Sequence, residues 1–126
     1  MMIAYALCLA CLGPAPGGAS GAMDQALFFA SCAGRSAAVF HYQRFNTGVP
    51  TREAEVRRMQ YDDLYAAVAP PQGPEADLLW QQRRRSQEAQ ERLLIQGEYH
   101  VDARTAARAE AEARRRLAQC DAALLG

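Results

Sequence analysis

What most constrains this chain is where a helix cannot continue. Breaks at Asn46-Thr47-Gly48 with Pro50, at Pro70-Pro71 with Gly73-Pro74, and at Gly97 divide residues 24–124 into four stretches. Each stretch carries apolar residues three and four apart, the spacing of a helix face, and none shows the alternation of a half-buried strand. No internal repeat is present. The expected fold class is all-α: a small up-down four-helix bundle, since short connections make successive helices antiparallel.

The first stretch, about Asp24 to Arg44, has Asp24 as its cap. Phe28, Phe29, Cys32, Ser36, Val39 and Phe40 share one face, and Leu27, Ala30, Ala33, Ala37 and Ala38 lie on the other side. A helix this apolar all round is expected at the centre. The second begins at Thr51, an N-cap followed by Glu53 and Glu55, and presents Ala54, Tyr61, Leu64, Tyr65 and Val68. The third starts at Pro74, which suits the first helical position. It is apolar at its two ends, Leu78-Leu79-Trp80 and Leu93-Leu94-Ile95, but its middle is polar almost all round. That middle is expected either in solvent or under a partner, with Glu88 and Arg92 paired and Gly97 ending the helix. The fourth runs from its cap Asp102 to about Leu124. Ala106, Ala109, Ala113, Leu117, Cys120 and Leu124 form its apolar stripe, and Glu110–Arg114 and Glu112–Arg116 form its outer ion pairs.

Ahead of these helices, Ile3 to Leu12 is an unbroken apolar run. It is followed by Gly13, Pro14, Pro16, Gly17 and Gly18, and then by Ser20-Gly21-Ala22, which has the small-x-small form of a processing site. Residues 1–22 are therefore read as a cleaved secretory signal and residues 23–126 as a single helical domain. The run is about half of the roughly 20 apolar residues a membrane span requires, so no transmembrane span is expected in the mature chain. No Lys or Arg precedes the run, a departure from the usual pattern. A retained anchor and lipidation at Cys11 are the alternatives, although Cys8 stands where a lipidation motif carries Leu.

Cys8 and Cys11 form a C-x-x-C, but within the apolar run, where cleavage would remove both. Cys32 and Cys120 remain. An even pair in an exported chain favours a disulfide. In an up-down bundle the start of the first helix lies beside the end of the fourth. The two cysteines then sit at heights differing by roughly 6 Å.

Charge is balanced, with 14 basic and 14 acidic residues, and every basic residue is Arg. The absence of Lys excludes a P-loop, a Schiff base and a Lys general base. Zero net charge argues against a nucleic-acid binder, whose affinity rests on neutralising phosphates. His41 and His100 lie in no metal-ligand spacing, and Asp62-Asp63 lack the cleft that paired-carboxylate chemistry needs. Ser31, Ser36 and Ser86 fall mid-helix. No cofactor or metal is expected, and no catalytic residue is assigned.

Two surfaces could serve a partner. Arg83-Arg84-Arg85 and Arg114-Arg115-Arg116 could together grip an anionic head group or polyanion, or form a solvated face balanced by nearby Glu. Tyr61, Tyr65 and Trp80 fall near the proline-rich loop and could form an aromatic contact patch or simply cap the core.

The layout of signal, Cys32-Ala33-Gly34-Arg35 in the first helix and a distant Cys120 resembles that of small periplasmic one-disulfide helical proteins of bacteria. The resemblance implies a compartment, periplasmic or secreted, and no activity. The expected function is non-enzymatic macromolecular binding, with another envelope protein as the partner. The alternatives are anion or envelope-surface binding by the Arg triplets and, third, a small enzyme or metal carrier using His41 or His100.

Overall fold

The computed structural model describes residues 19–125 as four helices: α1 Ala19–Thr47, α2 Arg52–Val68, α3 Pro74–Tyr99 and α4 Ala103–Leu125. No strand occurs among the described residues. The apolar run with Cys8 and Cys11 lies outside them.

Local chemistry sets most of the boundaries. Thr51 caps α2 by accepting a hydrogen bond from the Ala54 amide at 3.2 Å. Asp102 caps α4 by accepting from the Thr105 amide at 2.9 Å. Pro74 occupies the first turn of α3. Two expectations need correction. Asp24 is not a cap, because α1 already begins at Ala19. Pro16, Gly17 and Gly18 lie ahead of this start, and from Ala19 to Met23 only Gly21 disfavours a helix. Gly97 does not end α3, which continues to Tyr99. Its role is spacing: a Cβ at position 97 would stand 3.3 Å from the Glu110 Cβ, so the missing side chain lets α3 approach α4.

The helices alternate in direction, and the closest pair is the parallel one, α1 with α3. Ala26, Ala30, Gly34 and Ala38 recur every four residues and are all buried, a shallow furrow along α1. At Gly34 the backbones come so close that a Cβ would overlap the Arg83 carbonyl oxygen and stand 3.0 Å from the Gln87 nitrogen. α2 lies against α1, and α4 lies against α3. α1 and α4 make little backbone contact, yet Cys32 and Cys120 join them at disulfide distance, Cα–Cα 5.7 Å. The tie between first and last helices is thus as expected, but the nearest neighbour of α1 is α3.

Among the described residues, the interior has two cores. One gathers Cys32, Ala33, Tyr61 and Cys120 beneath Phe28, Phe29, Leu64 and Tyr65. The other gathers Ala26, Ala30 and Leu79 with Met23, Leu27 and Val68, and Tyr65 touches both. The polar middle of α3 packs largely against the chain's own helices. Gln90 is fully buried and donates through Nε2 to the Ala113 carbonyl at 3.0 Å. Gln82 Nε2 donates to Ser31 Oγ at 2.9 Å. Glu88, on the outer side, pairs backward with Arg84 at 3.6 Å and not forward with Arg92. No helix among the described residues is long and apolar enough to cross a membrane.

Candidate functional site

Each residue of the Cys32-Ala33-Gly34-Arg35 motif does structural work. Cys32 reaches Cys120, Ala33 lies in the core beside it, and Gly34 admits α3. Arg35 donates through Nη1 to the Arg116 carbonyl at 3.1 Å and lies 3.6 Å from the Cys120 sulfur. Burial, and secondarily the nearby Arg116 charge, lower the Arg35 pKa. The motif is a clamp for the other helices.

The Arg triplets are mostly neutralised within the chain. Arg83 pairs with Asp62 at 3.2 Å and stacks over Tyr65 and Trp80, with ring centroids 5.8 and 5.4 Å away. Arg114 pairs with Glu110 at 3.5 Å. Glu112 accepts from both Arg115 and Arg116, and these two guanidiniums hold its carboxyl at about 2. With Arg84 on Glu88, only Arg85 of the six has no ion pair among the described residues. No described cavity is lined by both triplets.

The expected aromatic patch is split. Tyr61 is fully buried and donates its hydroxyl to the Cys120 carbonyl, so it is not a contact surface. Burial, then the Asp121 charge, raise its pKa. Tyr65 is half-buried between the two cores, and only Trp80, half-exposed, faces outward together with Leu78. The histidines also have ordinary settings. His100 Nδ1 accepts from the Asp102 amide at 3.0 Å, and His41 packs edge-on against Phe40. Among the described residues, no three His, Cys, Asp or Glu side chains gather as a metal would require.

A further surface lies elsewhere. The C-terminal halves of α1 and α3 flank a groove of about 1010 Å³. Its α1 wall holds His41, Tyr42, Arg44 and Phe45, and its α3 wall holds Glu91, Ile95 and Tyr99. The Tyr99 hydroxyl donates to Asn46 Oδ1 at 3.2 Å, bridging the mouth. Phe45 is 91% exposed, Tyr99 61% and Ile95 50%. The up-down order brings the α1–α2 and α3–α4 connections to this same end, where Val49 is exposed and Val101 fully so. The periodicity of the sequence does not single out these residues. Phe45 and Tyr99 sit in last helical turns and Val49 and Val101 in connections, outside any stripe. The available signal was an apolar residue beside a helix stop with no core position to fill.

No protein family, curated protein or solved structure matches this chain, and so no enzyme family does.

Proposed function

We propose that this chain is an exported, non-enzymatic helical protein, periplasmic or secreted, whose mature domain (residues 23–126) binds another protein of the same compartment. The observation that carries this reading is the apolar end formed by Phe45, Val49, Ile95, Tyr99 and Val101. Soluble domains rarely leave so many large apolar side chains together in water unless they are covered in use. Export is supported by the signal-like N-terminus and by the Cys32–Cys120 pair, a kind of bond that persists in oxidising compartments.

Anion binding by the Arg triplets is the less favoured reading, because five of the six guanidiniums already hold a carboxylate. The test places a photo-crosslinking residue at Phe45 and, as control, at exposed Arg108 on α4. Adducts in exporting cells from position 45 and not from position 108 are expected. Equal yields, or none at 45, would remove the proposed face.

A further inference from the structure

We infer that the partner at this end is a second copy of the same chain, related by a two-fold axis through the α1–α3 groove; this rests on the apolar end being the binding face. Three features of the groove point to a self-complementary surface. The first is charge. Arg44 on the α1 wall and Glu91 on the α3 wall both line the groove, and neither has an ion pair among the described residues. Glu91 accepts only from the Gln87 side-chain amide at 3.3 Å. A two-fold axis running along the groove exchanges the walls, so the Arg44 wall of each copy faces the Glu91 wall of the other. An isologous interface requires a patch that complements itself. The chain's zero net charge leaves no overall repulsion between copies.

The second feature is shape. Phe45 projects from the lip of the groove it helps to line, 91% exposed, so one face offers both a knob and a hollow of about 1010 Å³. The third is area. Two large aromatics and three aliphatic side chains at this end expose on the order of 600 Å², the upper end of what a monomer leaves open. With the polar rim this approaches the roughly 800 Å² per partner of a stable interface. A lipid surface fits less well. The basic residues around this end, Arg44, Arg52 and Arg104, are matched by Glu53, Glu98 and Asp102, so there is no net attraction to anionic head groups.

Sedimentation of the oxidised protein, as recovered from cells that export it, tests the assignment. Twice the chain mass is expected at tens of micromolar. Phe45→Glu should give a monomer with unchanged helical circular dichroism. Arg44→Glu and Glu91→Arg should each raise the dimer dissociation constant about tenfold, and the double exchange should restore it. A monomer throughout, or a dimer indifferent to all of these substitutions, overturns the second copy. Crosslinking at position 45 separates this failure from that of the binding face. A different protein in the adduct, or Phe45-dependent flotation with anionic vesicles, overturns the second copy while leaving a working face. No adduct and no flotation removes both.

Discussion

Position 34 shows how much one side chain can decide. Gly34 stands where α1 and α3 touch backbone to backbone, and any Cβ there meets the Arg83 carbonyl. Gly34→Ala gains helix propensity in isolation but forces the closest pair of helices apart. The expected net loss is about 1–3 kcal/mol, measured by denaturant unfolding. A neutral or stabilising result would mean that the helices are not in this register. The Glu112 carboxyl is a second case. Hydrogen bonds from Arg115 and Arg116 hold it at about 2, against an ordinary 4.5. Because the folded value is depressed, its contribution to stability is complete above about 4.5 and lost as pH falls toward 2. An NMR titration should place its midpoint near 2, and Arg115→Gln should move the midpoint up. An unmoved midpoint would remove Arg115 as a cause.

Among the helices, α2 is held to α4 by few contacts, which makes the pairing testable. Arg57 donates from Nε and Nη2 to the two oxygens of Asp121, at 2.9 and 2.8 Å, and these hydrogen bonds raise the Arg57 pKa. Asp121 is partly exposed, so solvent weakens the pair. Arg57→Ala should cost about 1–2 kcal/mol, and hydrogen exchange should quicken first in α2 and the last turns of α4. Uniform exchange along all four helices would count against a localised tie. At this scale the sequence was legible wherever one residue acts on its own turn, as at Thr51, Pro74 and Asp102. It misled at Gly97, where the glycine serves a neighbouring helix, and in α3. The middle of α3 looks solvent-bound from its composition, yet it packs on α1. Alanine and glycine on α1 bring the two backbones so near that Gln82 reaches Ser31 across that contact, while Gln90 reaches the Ala113 carbonyl of α4.

For the whole molecule, the link between Cys32 and Cys120 closes the largest loop in the fold, with a sequence separation of 88. Both residues are fully buried. Reductant should therefore act only as the protein opens, and reduction with alkylation should lower stability by about 4.5 kcal/mol on the loop-entropy account. Rapid reduction of the native protein, or unchanged stability once the bridge is gone, would contradict the buried placement. The sequence by itself determined the four helices, most of their ends and the one pair of cysteines that falls within them. These depend on residues one turn apart or on simple arithmetic. Only the tertiary structure decided that α1 takes α3 as its nearest neighbour, that the Tyr61 hydroxyl finds the Cys120 carbonyl, and that Phe45 meets Ile95 and Tyr99 around one groove. Each of these pairs residues tens of positions apart, and the choice among them rests on how closely two backbones can pack, which no single stretch of sequence records.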